Sequence, residues 1–335
     1  MTFTETALTR TRLSLVGLAS GDALGMPSQT LPRERIRALY GRITGFVAPA
    51  AEHPVSHGLA AAQITDDTEQ TLLLAKRLLR SPVDFDDLTW AQDLLDWEAD
   101  IRAKGLSDLL GPSSKAAIAA LQAGTPPEET GLKGTTNGAA MRIAPVGLLF
   151  RPDAGLIARQ VARTCRVTHN TGEAIAAASA VAAVVSAGIE GDTFDAALDL
   201  ALAAARNGQE LGAAYGEPDI AGRIALALKL AEAGDEEQLI ADIGTSVASR
   251  ESVAIAFGVM KLHEGDLWSA LQAAANIGDD TDTIGAILGA MGGATGLTLP
   301  PAAEAQVLEA NDLELDDLVP ALVAMRARLA EEQPA

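Results

Sequence analysis

Asp280-Thr281-Asp282-Thr283-Ile284-Gly285-Ala286-Ile287-Leu288-Gly289-Ala290-Met291-Gly292-Gly293 joins a doubled acid and hydroxyl pair to a run with glycine at every fourth position, Gly285, Gly289 and Gly293. The front of the chain carries the same device, Gly17, Gly21 and Gly25, around Asp22. Residues four apart share one face of a helix, so each segment has a stripe without side chains. Glycine in a helix costs ~1 kcal/mol against alanine, so three in register imply close approach of another backbone. Small-residue stripes also pair helices in membranes, but these segments are short and contain Asp22 and Asp282. The two helices are expected to pack in the middle of a bundle. That would join the two ends of the chain and bring Asp280 and Asp282 near Asp22.

Composition supports a helical bundle. Of 335 residues 48% are hydrophobic but only 3% aromatic, so a large core must be built from Ala, Leu, Val and Ile. Ala and Leu favour helix, and alternating β-branched or aromatic runs are scarce. Helical periodicity covers residues 13–24, 69–79, 85–101, 114–123, 139–150, 154–165, 174–187, 194–205, 220–233, 253–262, 267–275 and 284–297, with two more helices after Pro301. No linker interrupts the pattern, so the reading is all-α and one domain over 1–335. Residues 25–63, with Pro27, Pro32, Pro49 and Pro54, read as a long ordered loop with one short helix, of the kind that borders a site.

The formal charge of −20 disfavours nucleic acid and anionic membrane as partners. The apolar run 174–189 is mostly Ala and falls short of the ~20 residues of a membrane span, so it reads as a buried helix. The N-terminus lacks the pattern of a secretory signal, which makes the cytoplasm the expected compartment. A lone Cys165, and histidines without His-Glu-x-x-His spacing, leave zinc without its usual ligands. Cys165 reads as a small buried hydrophobe.

Thr65-Asp66-Asp67-Thr68 is the partner of the 280–283 cluster. Together they offer four carboxylates and several hydroxyls, a donor set for hard divalent cations such as Mg²⁺ or Mn²⁺. Each cluster also opens a helical stretch, where Asp and Thr are ordinary caps. Asp-Thr-Asp-Thr, however, puts more negative charge at one helix start than the ~0.5 elementary charge of the dipole complements. Small residues in Asn137-Gly138-Ala139-Ala140 would let backbone N–H groups approach a phosphate or sugar, or they allow close steric packing.

Five motifs now stand in order: Gly21-Asp22-Ala23-Leu24-Gly25, Thr65-Asp66-Asp67-Thr68, residues 136–145 (Thr136-Asn137-Gly138-Ala139-Ala140-Met141-Arg142-Ile143-Ala144-Pro145), Thr168-His169, and residues 278–285 around Asp280 and Asp282. This order resembles the ADP-ribosylglycohydrolase family over a core of about 13–297. The resemblance implies an all-α orthogonal bundle with a binuclear Mg²⁺ or Mn²⁺ cleft. It implies Thr65, Asp66, Asp67, Asp280, Asp282 and Thr283 as metal ligands. Gly134, Thr135, Thr136, Asn137 and Gly138 are similar to the family's ribose and diphosphate cradle, with His169 as a substrate contact. Arg142, expected inside the 139–150 helix, is either a phosphate partner or half of a buried ion pair. Asp108, in Leu106-Ser107-Asp108-Leu109, matches the family's water-activating carboxylate, with Asp100 as its rival; Asp67 is the other catalytic candidate.

The implied activity is hydrolysis of an N- or O-ribosyl bond, chiefly in ADP-ribosylated substrates, by water activated at the metals. A second reading is a hydrolase of a free nucleoside or other small ribosylated metabolite. It rests on Gln29, which stands where family members that act on protein side chains carry Glu, and on the scarcity of aromatic residues to stack on adenine, Tyr215 and Phe46 being candidates. A third reading, a non-catalytic crystallin-like protein, gives no reason to keep both acid clusters.

Overall fold

The computed structural model describes residues 3–105, 110–216 and 219–332. Among them the chain is helical throughout, and extended pairing is limited to three isolated bridges, Leu31 with Asp279, Thr136 with Ala248 and Thr171 with Ala213. The all-α reading holds for these residues. One contiguous apolar core, mainly Ala, Leu, Ile and Val, runs through the bundle; a small satellite of Ile101, Leu110 and Ile118 lies to one side.

The glycine stripes meet as the sequence implies. The helix Phe3–Gly25 and the helix Thr281–Ala294 lie antiparallel and touch backbone to backbone. A Cβ on Gly17 would fall 2.3 Å from the Gly289 carbonyl oxygen, one on Gly21 1.9 Å from that of Gly285, one on Gly25 2.3 Å from that of Thr281, and one on Gly293 2.1 Å from that of Leu13. Each step forward along one helix is matched by a step back along the other. Asp22 is thereby held beside the start of the 281–294 helix.

Behind this pair lies the helix Gly172–Glu190, long and apolar enough to cross a membrane by length and composition, yet buried from Gly172 to Ile189 inside the protein. Its alanines let neighbouring helices approach closely. Thr171 caps its start by accepting from the Ala174 N–H, and Gly191, at φ 117°, ends it in the left-handed region open to glycine. Cys165 is buried, as expected, and burial pushes its thiol up to about 11.

Two local expectations need correction. The helix expected over 139–150 is broken into Gly138–Met141 and Ala144–Leu149, so Arg142 lies at a junction and not within a helix. Pro145 has no N–H to give the Met141 carbonyl, which accepts instead from the Thr71 hydroxyl at 3.3 Å. The helix Glu236–Ile243 was missed, because only Leu239, Ile240 and Ile243 mark its apolar face in an acidic stretch; Asp235 caps it through the Gln238 N–H. The proline-rich segment 25–63 does hold one short helix, Arg33–Tyr40. Its remainder is pinned by the Tyr40 hydroxyl, which donates to the Pro27 carbonyl and accepts from the Ala50 N–H.

In Gly21→Ala, the new methyl would meet backbone and not a movable side chain, so urea denaturation should show a loss of about 3 kcal/mol or outright failure to fold. Gly45→Ala, with nothing within 4 Å of the added methyl, is the matched control. Equal stabilities for the two would refute the contact.

Candidate active site

The two helix starts that carry the acid clusters converge. Thr65 and Asp280 occupy the N-cap positions of the helices Asp66–Arg80 and Thr281–Ala294, but neither side chain makes a capping hydrogen bond. Capping of the first helix is done from outside it. The Asp22 carboxylate accepts from the Thr65 N–H at 3.0 Å, the Thr68 N–H at 3.1 Å and the Thr65 and Thr68 hydroxyls at 2.8 and 2.5 Å. The clustered acids are thus released from the role that would have explained them locally.

They line a common cleft. Its wall is formed by Asp66, Asp67, Asp280, Asp282 and Thr283, with Gln29, Thr136, Asn137 and Gly138 from the expected set. Asp66 accepts from the Gln70 amide at 3.2 Å, Asp280 from the Asn137 amide, and Asp282 from the Thr283 N–H at 2.9 Å. Asp67 Oδ2 lies 3.1 Å from the Thr65 hydroxyl, whose single hydrogen goes to the nearer Asp22 at 2.8 Å, while the buried Asp67 Oδ1 makes no hydrogen bond.

Burial and mutual repulsion raise all of these acids. Burial, with Asp67 adding, pushes Asp22 up to about 8; burial with Asp280 pushes Asp67 up to about 7; and burial lifts Asp280 to about 6. Asp66 and Asp282 rise well above the carboxylate range, from burial first and the neighbouring Asp67 next. Among the described residues, none of the five forms a salt bridge with Lys, Arg or His. Buried carboxylates are stable only when protonated or neutralised, and an all-oxygen donor set with an orphaned Asp67 oxygen suits hard divalent cations. Among the described residues, no group of three or more acids, histidines or cysteines is placed to hold a metal ion. Mg²⁺ commonly takes one or two carboxylates and keeps several waters, so acids on facing helix starts fit it without such a group.

The other expected residues lie behind this wall. Thr65 stands behind Asp67. Gly134 packs on the backbone of Thr168, with its Cβ position 2.1 Å from the Thr168 carbonyl oxygen, and the Thr135 carbonyl accepts from the Ser249 N–H. His169 is fully buried and touches the cleft only through Thr136 and Gly138. Asp108 lies outside the described residues; Leu110, Gly111 and Pro112, which follow it, line the cleft. Asp100 is exposed and away from it. Arg142 meets neither a phosphate site nor a carboxylate. It is 1% exposed, stacks 5.6 Å from the Trp90 ring centroid, and donates to Gln70 Oε1 and Thr168 Oγ1. Neither aromatic candidate reaches the cleft: Tyr215 is 53% exposed elsewhere, and Phe46 packs edge-on against Trp268.

Sequence reasoning missed Thr30, Val55, Ser114, Met141 and Val247 on the wall. Val247, 38% exposed in a Thr-Ser-Val turn, had a faint signal as an isolated apolar residue among polar ones. Thr30 had none. It adopts φ 63° and Asp279 φ 61°, a conformation costly for a β-branched residue, and the two are clasped by Thr30 N–H to Asp279 O at 2.6 Å. This clasp fixes the approach of the chain to Asp280.

Comparison with known proteins agrees with this geometry. The family model described as ADP-ribosylglycohydrolase matches residues 4–332. The chain belongs to the ADP-ribosylglycohydrolase family. It is 34% identical to the uncharacterized protein YegU of Escherichia coli (strain K12), covering 93% of this chain and 96% of that protein. It is 26% identical to the ADP-ribosylarginine hydrolase Tri1 of Pseudomonas putida (strain GB-1), over 87% of this chain and 71% of the relative. A solved structure titled ADP-ribosylglycohydrolase-related protein complex shares the fold, with a TM-score of 0.68 at 24% identity, covering 96% of this chain and 99% of that one. As a member of the ADP-ribosylglycohydrolase family the protein is a hydrolase of the glycosylase kind.

The raised acids make stability depend on pH. The folded state keeps protons that ordinary aspartates, near ~3.9, have lost in the unfolded chain, so stability falls as pH rises. In EDTA the Tm should therefore decline as pH climbs from about 4, where aspartates of the unfolded chain ionise, the loss ending near the folded values of about 6 for Asp280, about 7 for Asp67 and about 8 for Asp22. Mg²⁺ or Mn²⁺ should replace the protons and raise the Tm more at pH 8 than at pH 6. A metal response equal at both values would put the binding site elsewhere.

Proposed function

We propose that the cleft holds two divalent cations, Mg²⁺ or Mn²⁺, and cleaves the N- or O-ribosyl bond of an ADP-ribosylated substrate. The observation that carries this is the meeting of two helix starts whose buried acids neither cap their helices nor pair with a cation. Asp66, Asp67, Asp280, Asp282 and Thr283 would hold the ions, with Thr65 behind Asp67. When bound, such ions orient ribose hydroxyls and lower the pKa of water.

The chain's own groups do the rest. Asp67, whose buried Oδ1 makes no hydrogen bond, is the wall carboxylate that would orient the attacking water and take its proton. Asp108 is the alternative base. Carboxylates around the anomeric carbon offset the positive charge of an oxocarbenium-like transition state. The Thr136 hydroxyl and Gly138 line the cleft and would meet the sugar and diphosphate; the Asn137 N–H is already given to the Val247 carbonyl at 2.9 Å. Val55, Met141 and Val247 give the cleft its apolar surface. The likeness to an ADP-ribosylarginine hydrolase supports an arginine-linked substrate.

One observation favours a smaller substrate, a free nucleoside or N-riboside. Gln29 is buried on the cleft wall, not loose on a surface loop. The Ser56 hydroxyl gives its single hydrogen to the Met26 carbonyl at 3.0 Å, so it can only accept from the Gln29 amide at 2.9 Å. Gln29 Oε1 is left as a neutral acceptor. It can bind a ribose hydroxyl but neither takes up a proton near neutral pH nor neutralises a cation.

Assays with Mg²⁺ on an ADP-ribosyl-arginine protein and on a panel of nucleosides and N-ribosides separate the two readings. EDTA should abolish turnover, and Asp280→Asn with Asp282→Asn should lower it by about 100-fold or more while removing the metal-induced rise in Tm. Persistence of either response in that double variant would move the site. If ADP-ribose leaves the protein substrate readily and Gln29→Glu changes nothing, the small-metabolite reading is wrong.

A further inference from the structure

Arg142 is a puzzle that the proposed reaction does not use. A guanidinium this deeply buried ordinarily meets a carboxylate, but its terminal nitrogens go to two neutral side chains: Nη1 to Gln70 Oε1 at 2.6 Å and Nη2 to Thr168 Oγ1 at 2.5 Å. Guanidinium is a donor only, so both neighbours accept from it.

Toward the acids, Gln70 must turn its carbonyl oxygen to Arg142, so its NH₂ faces the other way and donates to Asp66 Oδ2 at 3.2 Å. Toward the opposite wall, Thr168 accepts from Arg142, and among the described residues its buried hydroxyl has one further partner, His169 Nδ1 at 2.7 Å; a second acceptance there would leave the hydroxyl hydrogen without an acceptor, so it donates to Nδ1. With Nδ1 an acceptor, the ring proton of neutral His169 belongs on Nε2, which then donates to Thr136 Oγ1 at 3.2 Å. Thr136 lines the cleft, and with that acceptance made, its own hydrogen is directed toward whatever the cleft binds. Amide orientation and imidazole tautomer are not given by heavy-atom positions alone; here the amide follows from the donor-only guanidinium, and the tautomer from the lack of any other acceptor for the Thr168 hydrogen. Burial and the neighbouring Arg142 hold His169 well below its usual pKa, which keeps the ring neutral. Gly138 leaves room for it: a Cβ there would lie 2.8 Å from His169 Cε1.

We propose that Arg142 is a positioning residue for both cleft walls: it turns Gln70 into a donor to Asp66, and it anchors the Thr168 hydroxyl whose donation to His169 leaves Thr136 a donor to the ligand. The first arm holds a carboxylate oriented for a cation. The second gives the cleft a hydroxyl that favours ligand oxygens which accept, such as a diphosphate or ribose oxygen, over groups that donate. Only the identity of that ligand rests on the ADP-ribosyl reading.

The test uses ¹⁵N-histidine-labelled full-length protein, in which four histidines give a simple spectrum. Long-range ¹H–¹⁵N correlation at pH 7 should show His169 neutral with its proton on Nε2. Thr168→Val, similar in shape, should lose that preference and weaken free ADP-ribose binding by about tenfold in calorimetry, while the Mg²⁺-induced rise in Tm stays; Thr168→Ser should restore both. Gln70→Leu should do the converse, lowering Mg²⁺ affinity about tenfold or more with the His169 tautomer intact. Arg142→Lys should lose both arms, but it endangers the fold, so the decision rests on the two single-arm variants. A wild-type His169 protonated on Nδ1 or on both nitrogens overturns the proposal. So does a parallel loss of Mg²⁺ and ADP-ribose binding in both variants, in step with lost Tm. Absence of ADP-ribose binding by the unaltered protein would fall on the substrate reading, and the spectrum with the Mg²⁺ arm would still decide the relay.

Discussion

Backbone contact between the first helix and the 281–294 helix is the constraint on which the rest of the protein depends. With glycine at every crossing, the two axes approach until peptide groups touch, and no side chain could be inserted without moving one of them. Such a contact fixes register and direction more tightly than a layer of aliphatic side chains, which can repack. Asp22 is therefore set beside Asp282, and from there it reaches across to cap the helix that begins at Asp66. Two acid clusters more than two hundred residues apart become one site because six small residues do nothing but leave space.

The site that results is costly to fold. Five aspartates are taken out of water together, and burial pushes each toward its protonated form. The alanine-rich core and the buried 172–190 helix supply the opposing hydrophobic stabilisation, and the strained clasp of Thr30 with Asp279 adds a further local cost. Concentrated strain and uncompensated charge at one end of an otherwise regular bundle are the signature expected of a functional centre. They also explain why a cation would stabilise this fold more as pH rises.

Polarity around the cleft is organised by groups that cannot change role. Arg142 only donates, the Ser56 hydroxyl has spent its hydrogen on Met26, and the Asp22 oxygens are filled by Thr65 and Thr68. Arg142 thereby orients the Gln70 amide, Ser56 that of Gln29, and Asp22 the hydroxyls of Thr65 and Thr68. The wall therefore presents a fixed pattern of donors and acceptors before any ligand arrives, which is how a binding site avoids reorganisation during the reaction.

The sequence by itself determined the helical class and the pairing of the two glycine-striped helices, because both follow from residue type at fixed spacing along one helix; the gathering of Asp66, Asp67, Asp280 and Asp282 was legible in their shared donor chemistry and in the order of the motifs. It also carried Gln29, Thr136, Asn137 and Gly138 to the cleft, through the order of the motifs. Only the tertiary structure decided which of the remaining residues face the cavity and which stand behind it. His169, Gly134 and Thr135 sit one layer back, and Thr30 and Val247 come forward, since loop backbone conformation and contacts across the fold set the direction of those side chains. Nor could periodicity show the break at Arg142, where a single missing N–H at Pro145 turns a long apolar run into two short turns and sends the one fully buried arginine of that motif inward. Spacing along a helix is a local property; the facing of a loop residue is decided by what packs against it.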